Sequence, residues 1–221
     1  MLPLSTLGYP DGMRNTPTST GYHHGNLRAA LVETALTMAR ESGPDGVALR
    51  EVARRVGVSH NAAYRHFADR EELLTEISTH AMDRLTEAMR ARVDAVPDDL
   101  DLTGRGRARL SEVGRAYVEF ALAEPGLFRV AFASKADDVE NSPLGPPTDG
   151  GPYGLLNDVL DDLVDVGYLD PERRPGSEVA CWAAVHGFAH LCLDGPLRPL
   201  PDDLRDAALG RLLDTIERGL G

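Results

Sequence analysis

Two cysteines, one tryptophan and one lysine are all that the 221 residues hold of those types, and aromatic side chains amount to only 5%. Cys181 and Cys192 fall in one expected helix, about 16 Å apart along its axis, a separation that no disulfide spans. No apolar run reaches the ~20 residues of a membrane span, and the first twenty residues contain no apolar leader core, so the expectation is a reduced, cytoplasmic protein with no membrane partner. The chain also lacks a P-loop, a Gly-x-Gly-x-x-Gly after a strand, a Gly-x-Ser-x-Gly elbow and a His-Glu-x-x-His pair. Nowhere does it alternate apolar and polar residues with the period of a strand. The expected fold is therefore all-α, with about nine helices, no catalytic residues and no cofactor.

Charge is unevenly placed. The net charge is -12, which suits a nucleic-acid partner poorly until it is divided along the chain. Residues 21–80 carry seven Arg and eight acids, whereas residues 81–221 carry fifteen basic and twenty-six acidic residues. The second part repels phosphate and the first does not, although simple solubility accounts for the same asymmetry.

The most informative stretch is Leu49 to Phe67, LREVARRVGVSHNAAYRHF. Leu49, Val52, Ala53 and Val56 recur at helical spacing and leave Arg50, Arg54 and Arg55 outside. Gly57 follows where a chain leaving a helix needs a left-handed backbone, and Ser59 suits the N-cap of a second helix, His60 to Phe67. That helix places Ala63 and Phe67 inward, with His60, Asn61, Tyr64, Arg65 and His66 outward or at the edges. Two helices hinged this way make a helix-turn-helix, whose second member enters the major groove with its first residues nearest the bases. Four Arg against one Glu across the stretch favour phosphate. An ordinary helical hairpin gives the same local pattern.

The longer run VALREVARRVGVSHNAAYRHFADREELL resembles the DNA-binding signature of TetR-type bacterial transcriptional regulators, in its Ala-Arg-x-x-Gly-Val-Ser step, its Tyr-x-x-Phe and the basic Arg70 that opens the next helix. The resemblance covers Gly21 to His80. It implies base contacts from Arg50, His60, Asn61 and Ala62 and phosphate contacts from Tyr64, His66 and Arg70; with the capping Ser59 and the outward Arg65 these form the candidate DNA-binding set. Ala48 departs from the Ser or Thr that commonly caps the first helix, and Ala63 is smaller than the usual apolar residue. Further on, CWAAVHGFAHLCLDGPL resembles the Trp-x-x-x-His-Gly motif of one TetR subgroup, carried by Trp182, His186 and Gly187. The family resemblance implies a ligand-responsive regulator, more often a repressor, that binds double-stranded palindromic operator DNA as a homodimer and is released by a small molecule.

The remaining chain fits a tail, a head and a body, with boundaries at 1–20, 21–80 and 81–221. Met1 to Thr20 reads as a disordered tail, and His23 and His24 lie in a flexible lead-in. Asn26 caps a helix that ends at Gly43-Pro44, and Asp69 with Glu72 opens a long helix running to about Val96. Residues 97–106 read as a loop, Leu110 to Ala121 and Leu127 to Ala133 as helices, and 134–152 as a long disordered loop. Helix resumes at Tyr153, then from a Ser177 cap through Leu193, and from Leu204 to Leu220. The last two helices, with Leu213 and Ile216 on the apolar face, are expected to pair with a second copy. The nearly all-apolar Glu178–Leu193 should be buried on several sides.

Tyr117, Phe120, Phe128, Phe132, Trp182 and His186 concentrate a scarce supply of rings, with one polar group among them, and are the candidate ligand-binding set. The same rings would fill a core. His186 and His190 share a helical face, but no second ligand cluster accompanies them or the two cysteines, so no metal site is expected. Two alternatives stay open: an activating or architectural DNA binder without an inducer, and a helical enzyme.

Overall fold

The computed structural model describes residues 27–133 and 150–221. The expected tail, the His23–His24 arm, the Asn26 cap and all but the last residues of the 134–152 loop lie outside them. The described residues form nine helices: α1 (Leu27–Ser42), α2 (Leu49–Val56), α3 (His60–Tyr64), α4 (Arg70–Asp94), α5 (Leu102–Ala123), α6 (Pro125–Ala131), α7 (Pro152–Asp165), α8 (Ser177–Leu193) and α9 (Asp202–Leu220). A short 3-10 turn, Pro44–Gly46, joins α1 to α2. There is no strand among the described residues, and none of these helices is long and apolar enough to cross a membrane.

α1, α2 and α3 close around Leu31, Ala35, Leu49, Val52, Ala63 and Phe67, all buried. Phe67 is fully buried, a contribution of about 1.5–3 kcal/mol from the ring alone. The Arg28 guanidinium lies 4.8 Å from the Phe67 ring centroid and pairs with Glu76, tying α1 to α4. Ala63 is wholly inside, so its small size lets α3 sit close on its neighbours. The helix is shorter than its apolar spacing suggests: it ends at Tyr64 with Arg65 as C-cap, and Phe67 reaches the core from the turn beyond.

α4 belongs to both halves. Asp69 caps it by accepting from the Glu72 N–H at 2.9 Å, while the Glu72 carboxylate accepts from the Ala68 N–H at 2.6 Å. From Leu73 to Val93 one stripe is buried, first against the head and then against the body. α5 is the centre of the body and packs on α4, α7, α8 and α9. It starts earlier than expected, because Asp101 accepts from the Gly104 N–H at 2.7 Å and turns half of the expected 97–106 loop into helix. Ser177 is not a cap. Gly176, with φ 84°, holds that position, and the Ser177 hydroxyl donates to the Arg174 carbonyl at 2.7 Å.

α8 departs from expectation in a second way. Its side facing α5 buries Cys181, Val185, Phe188 and Ala189, but Val179 and Leu191 are 41% and 44% exposed. Ala180, Ala183 and Gly187 lie exposed between them. Leu213, by contrast, turns inward: it is buried, and a side chain added at Gly114 of α5 would come within 2.5 Å of it.

Candidate nucleic-acid interface and ligand cavity

α2 and α3 meet at Gly57, whose φ of 82° is the left-handed conformation that glycine tolerates best. Its N–H donates to the carbonyls of Ala53 and Arg54, closing α2. Ser59 then accepts from the Ala62 N–H at 3.2 Å and opens α3. This local geometry turns one edge of the pair outward. His60, Asn61, Tyr64 and Arg65 are exposed, Tyr64 at 43%, and Ala62 and His66 are half-buried. Arg50 is exposed on the first turn of α2.

The cations of the head fall into two groups. Arg54 and Arg55 both donate to Glu51, at 2.7 and 3.3 Å, and Arg55 also reaches Glu41 at 3.0 Å. These hydrogen bonds, led by that from Arg54, hold the Glu51 carboxyl down at about 2. Arg50 and Arg65 have no ion pair among the described residues, so their charge is available to an outside anion. Arg70 requires a correction. Its Nε donates to the Val47 carbonyl at 2.8 Å and a terminal nitrogen to the Pro44 carbonyl at 2.6 Å, with Glu71 at 3.2 Å on its other side. A guanidinium spent on two backbone carbonyls anchors the start of α4 to the turn before α2, and is not a free phosphate clamp.

In the body an apolar cavity of about 70 Å³ lies between α4, α5, α7, α8 and α9. Three of the six candidate ligand residues, Tyr117, Phe132 and Trp182, stand on its wall. Phe120, Phe128 and His186 do not. Phe128 is 1% exposed and stacks edge-on behind Tyr117, ring centroids 5.6 Å apart, while Phe120 is buried elsewhere on α5. His186 sits behind the wall and holds it. The Trp182 indole donates to the Tyr117 oxygen at 3.1 Å, and the Tyr117 hydroxyl lies 2.7 Å from His186 Nδ1. Because an indole N–H only donates, the phenol proton is free to go to Nδ1, which requires a neutral imidazole carrying its proton on Nε2. Burial, and secondarily the neighbouring His190, lowers the His186 pKa and favours that form. Burial likewise pushes the Tyr117 phenol well above its usual value.

Sequence reasoning missed most of the wall: Met82 and Met89 from α4, Leu110 and Ser111 from α5, and Leu156 from α7. Their apolar members recur in phase like any core residue, and no local signal separates a cavity wall from a packed interior. Leu213 and Ile216, expected at a subunit interface, also face this cavity.

A hinged helix pair with an outward second helix, joined through one long helix to a cavity-bearing helical body, defines a helix-turn-helix protein of the two-part kind. Residues 31–77 match the model for bacterial regulatory proteins of the tetR family, and residues 110–216 match that for the tetracyclin repressor-like C-terminal domain. The chain belongs to the TetR family. It is 31% identical over 85 residues to the HTH-type transcriptional repressor Rv3405c of Mycobacterium tuberculosis, a match that takes in 38% of this chain and 45% of the relative, so the chain spans less than half the length of that relative. A solved protein of unknown function from Rhodococcus sp. RHA1 is similar with a TM-score of 0.70, 29% identity, and coverage of 91% of this chain and 98% of that one. The fold also matches a TetR variant from Acinetobacter baumannii AYE in complex with minocycline, at a TM-score of 0.56 and 22% identity over 86% of this chain and 94% of that one.

Proposed function

We propose that this protein is a ligand-responsive transcriptional regulator, a repressor that binds a palindromic operator as a homodimer in the cytoplasm and leaves it when a small molecule enters the body. The observation that carries the reading is the placement of α4. One helix starts at the turn that holds the reading pair, through Arg70, and lines the cavity further along with Met82 and Met89. A ligand that favours one cavity shape therefore acts on the element that carries the head, and an equilibrium between head positions shifts by the difference in its affinity for them. The name of the Mycobacterium relative supports repression, and the minocycline complex supports a small molecule as the signal. The exposed apolar side of α8 and Leu204 of α9, 54% exposed, supports pairing of two copies through the last two helices. Of the Trp182, His186 and Gly187 motif, Trp182 is assigned to the wall and His186 to its support, while Gly187 lies on the exposed side of α8. No group is assigned a catalytic role.

The test is selection of bound genomic fragments, followed by a shift assay on the enriched site. Asn61→Ala is expected to relax preference at one base position. Arg50→Ala and Arg65→Ala are each expected to weaken binding and lower the salt slope by about one unit if the contact is to phosphate. Absence of any enriched fragment, with no binding at low salt, would overturn the reading.

A further inference from the structure

Among the described residues, the cavity wall carries no charge that lacks a partner. The one ionised side chain among its described residues, Glu217, accepts from Arg107 Nε at 2.8 Å and is neutralised from outside the cavity. The Tyr117 and Trp182 polar atoms are taken up by each other and by His186. Cys181 stays a neutral thiol, because burial pushes it up to about 11. Burial first, and the Glu178 carboxylate second, keeps the Tyr153 phenol protonated, and its hydroxyl is taken up by a hydrogen bond to Glu178. What remains on the wall is Ser111, half-buried on α5, whose hydroxyl has no hydrogen-bond partner among the described residues. The same wall carries Met82, Met89, Leu110, Val113 and Leu156. Two thioethers make part of this surface adaptable in shape, while its polarity stays low.

Building on the regulator reading, we propose that the cavity selects an uncharged, predominantly apolar ligand with a single hydrogen-bonding group, and that Ser111 is the residue that meets this group. A carboxylate or an ammonium taken into the same space leaves water without a counter-charge, and Glu217 is already paired. An alcohol or ketone loses far less on desolvation and recovers one hydrogen bond from a hydroxyl that can donate or accept.

Trp182 is the chain's one tryptophan and lies on the wall, so its emission reports on the cavity without DNA. The probes are n-hexyl and cyclohexyl compounds, each as the alcohol, the carboxylate and the ammonium, titrated at neutral pH into the full chain up to millimolar concentration. Tryptophan emission and the melting temperature are read together. The alcohols are expected to bind on the order of 100-fold more tightly than either ion. Ser111→Ala should weaken 1-hexanol about 5- to 10-fold and leave 1-chlorohexane unchanged. The melting temperature of the unliganded variant tells loss of fold from loss of contact. An ion that binds as tightly as the alcohol, an alcohol that does not bind at all, or equal weakening of 1-hexanol and 1-chlorohexane in a folded Ser111→Ala protein overturns the proposal. Alcohol binding that leaves the operator complex intact supports the cavity assignment and overturns the regulator reading instead.

Discussion

Tyr117 is 3% exposed, yet its hydroxyl serves two neighbours, the Trp182 indole and the His186 imidazole. Removing it by Tyr117→Phe keeps the ring that packs against Phe128 and leaves two half-buried polar atoms without a partner. The expected loss is about 1–3 kcal/mol in denaturant unfolding, with the edge-on ring contact retained. An unchanged midpoint would show that water replaces the hydroxyl at no cost. The three residues were each readable as a ring or polar group on a helical face, but their meeting was not, because α5 and α8 are 65 residues apart at this contact. Periodicity tells which face a side chain is on and not what lies opposite. The same blindness misplaced Phe120 and Phe128 in the pocket and gave Arg70 to phosphate, when its acceptors are carbonyls at Pro44 and Val47.

Among the elements, the seven-residue α6 packs on α1 and on the turn before α2, and so joins body to head. A side chain added at Gly126 would collide with the Ala39 carbonyl and come within 2.7 Å of the Arg40 carbonyl, so α6 rests directly on the last turn of α1. Arg40 and Glu124 pair beside it at 3.1 Å, the Ser78 hydroxyl of α4 donates to the Ala131 carbonyl at 3.1 Å, and Arg129 reaches Asp194 at 2.6 Å. Backbone against backbone leaves no flexible side chain to give way. Gly126→Ala should therefore separate α1 from α6, cost about 1–3 kcal/mol, and alter operator affinity in a protein whose cavity still binds its probe. Melting and a shift assay on the same preparation check this, and an operator affinity equal to wild type would sever α6 from the coupling. The short helix itself was legible from its contiguous apolar residues, although it opens at Pro125, two residues before the expected Leu127. The start of α5 was not, because Asp98 to Gly106 has the composition of a loop until Asp101 is seen capping it.

For the whole molecule, the proposed pairing of two copies rests on the exposed stripe of Ala180, Ala183, Gly187 and Leu191. Small residues allow a second helix to approach closely, and charge placed there meets the partner. Ala183→Glu and Leu191→Glu are expected to give folded monomers that lose operator binding, by sedimentation and shift assay. Leu213→Glu should instead unfold the body, since Leu213 packs on Gly114 inside one subunit. A wild-type chain that sediments as a monomer at micromolar concentration would rule the pairing out. Pairing also sets a scale for the signal. The 25 residues of α4 extend about 37 Å at the helical rise, so a pivot of about 5° near its far end sweeps its start through about 3 Å. Two such arms swinging in opposite senses change the gap between reading helices by about 6 Å, close to a fifth of the ~34 Å that one turn of DNA demands. In the proposed dimer a ligand in the cavity thus needs to impose only a small angular bias to put both heads out of step with the site.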